Sequence, residues 1–177
     1  MISELSTKAK SSNNYAKITF FVTFIAAAAI FATSFVLPRF SGLVGNVGLI
    51  LIVVAILVYC KYVSPEYYYD ITHDSNGSAV FVVRMISGKR QSTFCRIGLA
   101  EIVKIERKDA EARRAHKTPA GTRKYSYCPT MMPSFTYRLY TRSRYEKAEI
   151  IIEVSDEFAE MLKRYADEAR VLESYEE

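Results

Sequence analysis

The stretch LVGNVGLILIVVAILVYCKYVSPEYYYDITH, Leu43 to His73, changes its rule partway along. From Leu43 to Cys60 it carries no charge and has twelve Leu, Ile or Val residues in eighteen positions, about the length a helix needs to cross a bilayer. After Val63 the period falls to two: Tyr67, Tyr69 and Ile71 alternate with Tyr68, Asp70 and Thr72, as in a half-buried strand. A membrane helix thus gives way within a few residues to a β-rich domain.

Upstream lies a second uncharged run, ITFFVTFIAAAAIFATSFVL from Ile18 to Leu37, with eleven Phe, Ile, Val or Leu residues. At roughly −0.3 to −0.6 kcal/mol for each such residue, insertion of either run is favoured by several kcal/mol. The run exceeds the roughly 7 to 15 residues of a signal-peptide core, and no A-x-A site follows it. Residues 18–60 are therefore predicted to form a transmembrane helical hairpin, with spans 18–37 and 43–60. Gly42, Gly45 and Gly48 recur every third residue, so they lie near one helix face and suit close helix packing, within the hairpin or between copies. Neither span holds Asp, Glu, Lys, Arg or His, the groups that ion pathways and proton relays need, so anchoring or assembly is the expected role.

Lys8, Lys10 and Lys17 precede the first span, Lys61 follows the second, and Arg39 alone lies between them. That bias predicts both termini in the cytoplasm, with residues 1–17 as an N-terminal tail and 61–177 as a cytoplasmic domain. Cys95 and Cys128 would then face a reducing compartment, and no structural disulfide is expected. Cys60, where the second span meets the cytoplasm, suits S-acylation, but a small apolar residue ending a helix is the better reading.

In the domain, DSNG turns EYYYDITH back into SAVFVVRMI, SGKR turns the chain again into QSTFCRIG, and EIVKIER follows as a further strand. FTYRLYT and AEIIIEV read as a hairpin around a turn at Ser143 to Glu146. That turn would set Thr141 opposite Ala148 and Leu139 opposite Ile150, and it would bring Arg138 and Arg142 near Glu149 and Glu153 on the outer face. SDEFAEMLKRYADEARVL closes the chain as an amphipathic helix, capped by Ser155 or Asp156, with Phe158, Met161, Leu162, Tyr165, Ala169 and Leu172 along its apolar stripe.

Charge is strongly polarised: Arg84 to Lys147 holds sixteen basic residues and five acids, whereas from Glu149 onward there are three and ten. The densest basic segment, RKDAEARRAHKTPAGTRK at residues 107–124, has seven Lys or Arg against two acids and no large apolar side chain. It reads as an insertion between strands, with a short helix AEARRAHK capped by Asp109. Arg113, Arg114, Lys117, Arg123 and Lys124 are its candidate contacts. A solvated loop, an anionic membrane surface and an acidic protein partner all fit this composition. Nucleic acid fits poorly, for want of a helix-turn-helix or similar motif. No cofactor or metal is expected, because the cysteines and histidines show no ligand spacing and no catalytic signature occurs. Cys128 reads as a packed, unreactive residue, and Tyr125 and Tyr127 as packing side chains.

The two spans followed by EYYYDITHD, IGLAEIVKIERK, KYSYCP and IIIEVSDEFAEMLKRY resemble small bacterial membrane proteins with a cytoplasmic pleckstrin-homology-like (PH-like) domain, near the YcxB-like group. That resemblance implies about seven antiparallel strands closed by a C-terminal helix, an α+β domain tethered to the plasma (inner) membrane. It also implies a non-enzymatic interaction module that binds a protein partner or assembles with itself. Lipid-binding PH domains draw basic residues from their first hairpin; here that turn is HDSNGS, and no Lys or Arg follows until Arg84. A specific phosphoinositide site is not expected, and an anionic-surface sensor using the basic insertion is the alternative.

Overall fold

A computed structural model describes residues 5–9, 15–36, 41–142 and 146–176, which divide into two compact units. The first contains two helices long and apolar enough to cross a membrane, α1 (Tyr15–Val36) and α2 (Ser41–Val58), the latter continued by a π turn over Tyr59–Val63. At about 1.5 Å per residue, the 22 residues of α1 match a hydrocarbon core of about 30 Å. Lys17, placed before the first span in the sequence, lies in the opening turn of α1, while Leu37 and Arg39 fall outside the described residues.

Three contacts show how the helices run. The rings of Phe20 and Tyr59 lie 5.2 Å apart, a Cβ on Gly48 would meet the Phe31 backbone at 3.0 Å, and one on Gly45 would meet Ser34 at 3.7 Å. As position numbers rise on α1 they fall in step on α2, the signature of an antiparallel pair. Ala27 and Ala55 are fully buried, consistent with small residues letting the backbones approach. The glycines therefore divide: Gly48 and Gly45 serve the contact between the helices, whereas no atom of the described residues lies within 4 Å of a Cβ on Gly42.

The second unit is β-rich, with eight strands among the described residues, in two four-stranded sheets, where about seven were expected. Its first strand, β1 (Leu5–Lys8), comes from the segment predicted as a plain tail. It pairs antiparallel with β2 (Glu66–His73), which pairs with β3 (Ala79–Ser87), and β3 with β4 (Arg90–Gly98). The turns fall at DSNG and SGKR as the sequence indicates, and Gly77 and Gly88 supply the positive φ angles of 79° and 60° those turns use.

After a 3-10 turn at Leu99–Glu101, the second sheet has the order β5 (Ile102–Asp109), β7 (Phe135–Arg142), β8 (Lys147–Ile152) and β6 (Thr122–Ser126). Thr141 faces Ala148 and Leu139 faces Ile150, the register expected from alternation. The connecting Ser143, Arg144 and Tyr145 lie outside the described residues. The sheet is not purely antiparallel, because β6 runs parallel to β8.

The core is filled by Tyr69, Ile71, Phe81 and Val83 from the first sheet, and by Tyr137, Leu139, Ile150 and Ile152 from the second. The C-terminal helix α4 (Asp156–Glu176) adds Phe158, Ala159, Leu162, Tyr165 and Ala166. Ser155 Oγ accepts from the Phe158 amide at 3.3 Å and caps α4. The apolar stripe ends early, since Ala169 is half-buried and Leu172 is 62% exposed. Tyr69 ties the sheets together: its hydroxyl donates to the Tyr127 carbonyl at 2.7 Å and accepts from the Glu153 amide at 3.2 Å. Burial drives its phenol well above the ordinary range.

Candidate functional site

The basic segment is built into the second sheet. Its first residues complete β5, α3 (Ala110–Ala115) follows, and Thr122–Ser126 add β6 to the edge of β8. The helix is shorter than predicted, ending before His116, and Asp109 stands at its N-cap without a side-chain capping bond. Between α3 and β6 the chain covers the outer face of the sheet. Thr118 Oγ1 donates to Glu149 Oε2 at 2.8 Å, and the His116 ring lies 6.4 Å from that of Tyr140. Arg114, Lys117 and Pro119 to Gly121 remain exposed, so this stretch is a solvated cover with polar anchors beneath it.

Under the cover, Glu149 is wholly buried and Arg138 is 2% exposed. Arg138 Nη1 donates to Glu149 Oε1, and His116 Nε2 lies 3.2 Å from the same oxygen. Burial raises the Glu149 pKa, yet Thr118, Arg138 and His116 together outweigh it and hold the carboxyl below its ordinary value. Arg113 Nε, Thr136 Oγ1 and Arg138 Nε are also buried, without hydrogen-bond partners. The sequence places Arg138 and Glu149 together on an outer face, and the structure makes that face an interior. Arg142 lies opposite Lys147, in the register the sequence indicates.

The five candidate contacts do not share one surface. Arg113 is half-buried, while Arg114 and Lys117 are exposed. Arg123 and Lys124 are exposed neighbours on β6, so they point to opposite faces of the sheet. Arg123 also approaches Glu146 at 3.4 Å. The outward charge of the cover is therefore carried by Arg114 and Lys117, with Lys124 in register with Glu149 on the same face.

Cys60 lies in the π turn and is exposed, and the three cysteines are free thiols. Burial pushes the Cys95 thiol up to about 11 and that of Cys128 up to about 12, so neither supplies a thiolate near neutrality. Tyr125 and Tyr127 stack with ring centroids 6.4 Å apart, against the core. Among the described residues, no group of three or more His, Cys, Asp or Glu side chains could hold a metal ion. No family model matches the chain, and no curated protein or solved structure is significantly similar to it.

Proposed function

We propose that the chain is a membrane-tethered interaction module without enzymatic chemistry: a helical hairpin in the plasma membrane holding a PH-like domain at the cytoplasmic face, where it binds a protein partner or a second copy. One observation carries the tethering. The strand before α1 pairs residue for residue with the strand after α2, Leu5 with Ile71 through Lys8 with Tyr68. Two segments of one sheet must lie on one side of a bilayer, so the chain leaves through α1 and returns through α2. Lysines on both outer flanks favour the cytoplasmic side.

The PH-like reading is supported by β2 to β8, seven strands without the N-terminal one, and by a capped helix packed on their core. The parallel β6 is a departure from that plan. Tethering raises local concentration, so modest contacts at exposed Arg114 and Lys117 suffice for a membrane-bound partner. A lipid-surface role is weaker, because the basic residues of the segment are split between faces.

A photo-crosslinking amino acid at position 114 or 117 of the full chain, irradiated in native membranes, tests the reading. A discrete protein adduct is expected, at twice the chain mass if the partner is a second copy. Lipid adducts alone would move the function to the anionic surface, and no adduct at either position would remove the cover as an interaction site.

A further inference from the structure

The outer face of the first sheet carries a feature that the tethering role does not use. Ser6 on β1, Asp70 and Thr72 on β2, and Val82 and Arg84 on β3 line a cleft of about 480 Å³, within the usual size of small-molecule sites, roughly 300–1,000 Å³. Register explains the grouping: Ser6 pairs with Asp70 and Asp70 with Val82, so their side chains leave the sheet together, opposite the buried Tyr69 and Phe81.

The polar groups of the cleft are unevenly satisfied. Asp70 is 6% exposed; its Oδ2 accepts from Arg84 Nε, but its Oδ1 is buried without a hydrogen-bond partner. A buried carboxylate oxygen normally has a donor. Arg84, which also lines the cleft, is about one-third exposed and gives its Nε to Asp70, so its terminal nitrogens are not used by that pair. A carboxylate with one oxygen unsatisfied thus sits beside a guanidinium whose pairing uses only Nε, with no net charge between them. That arrangement complements a zwitterion.

We propose that this cleft binds a small zwitterion, a primary ammonium donating to Asp70 Oδ1 with an adjacent phosphate or carboxylate on the outer nitrogens of Arg84. A lipid headgroup of the phosphoethanolamine type and a free amino acid share this chemistry. Because Ser6 belongs to the strand before α1, and Asp70 and Arg84 to strands after α2, the site is complete only when β1 is docked. A bound ligand therefore favours the docked strand.

The test uses the full chain in neutral detergent micelles, titrated calorimetrically with O-phosphoethanolamine, glycine and O-phosphocholine. The first or second should bind, and O-phosphocholine, whose nitrogen has no N–H, should bind at least about tenfold more weakly. Asp70→Asn should weaken binding by about tenfold or more. Ser6→Phe, which fills the cleft from an exposed edge strand, should do the same with an unchanged circular dichroism spectrum, and it carries the test if Asp70→Asn fails to fold. Stabilisation by phosphatidylethanolamine nanodiscs over phosphatidylcholine ones, absent in the variants, assigns the ligand to lipid. Binding of glycine alone assigns it to a free amino acid. Equal binding of O-phosphocholine, indifference to both variants, or no response to any soluble probe or to phosphatidylethanolamine would overturn the proposal.

Discussion

Glu149 and Arg138 show how far the environment of one residue can depart from its address in the sequence. Alternation along β7 and β8 places both on the face away from the core, where an ion pair stabilises by a few tenths of a kcal/mol up to roughly 1 kcal/mol. Buried under the cover, the pair obeys another rule: removing one partner leaves an uncompensated charge and costs roughly 3–5 kcal/mol, whereas replacing both with apolar residues is far milder. Glu149→Ala should therefore lower the denaturation midpoint much more than the double replacement Arg138→Met with Glu149→Leu. The pH dependence has a defined sign. The folded carboxyl lies below its ordinary value of 4.5, so its contribution is complete above that value and is lost as pH falls through the lower folded one. Acid denaturation curves should show this loss in the native chain and lack it in Glu149→Gln. An equal acid response in the two would mean that the pair carries no linkage. The burial was not legible because the covering groups, His116 and Thr118, come from about thirty residues upstream.

At the scale of elements, legibility followed pattern strength. The apolar helices, the strands with clear alternation and the amphipathic α4 were all readable, since each carries its own periodicity. Neither β1, with LSTK, nor β6, with TRKYS, does so: each is four or five residues long and polar, and each is a strand only because a neighbouring edge offers backbone partners. The glycine repeat was readable as a packing face, but only contact geometry assigns its members. A Cβ at position 45 would lie 3.7 Å from Ser34 Cβ, within the roughly 3.5–4.5 Å that a disulfide spans. Ser34→Cys with Gly45→Cys, in a chain without its other cysteines, should therefore crosslink on mild oxidation. Adding Gly48→Val should abolish that crosslink, because its side chain must enter the Phe31 backbone, while Gly42→Val should leave it intact. Crosslinking that persists in Gly48→Val would refute the antiparallel contact as the organiser of the hairpin.

For the whole molecule the decisive element is the shortest. β1 pairs the segment before the helices with the segment after them, and with Ala9 it covers an edge that would otherwise present the backbone groups of Tyr67 to Ile71, with three consecutive tyrosines. Such an aromatic edge invites pairing with another chain. The Ala9 amide donates to the Tyr67 carbonyl at 2.9 Å beyond the last residue of β1, and Ala9 is buried. Ala9→Pro removes that donor and should destabilise the β-rich unit by about 1–3 kcal/mol. The effect should not stop at stability. With β1 undocked, amides of β2 that face it should lose hydrogen-exchange protection, while those of β7 and β8 keep theirs. The chain in detergent should also shift toward higher oligomers on size exclusion. Exposed Lys163→Ala should change neither measurement, which separates docking of this strand from a general response to mutation. If Ala9→Pro leaves β2 protected and the chain unassociated, β1 does not guard the edge.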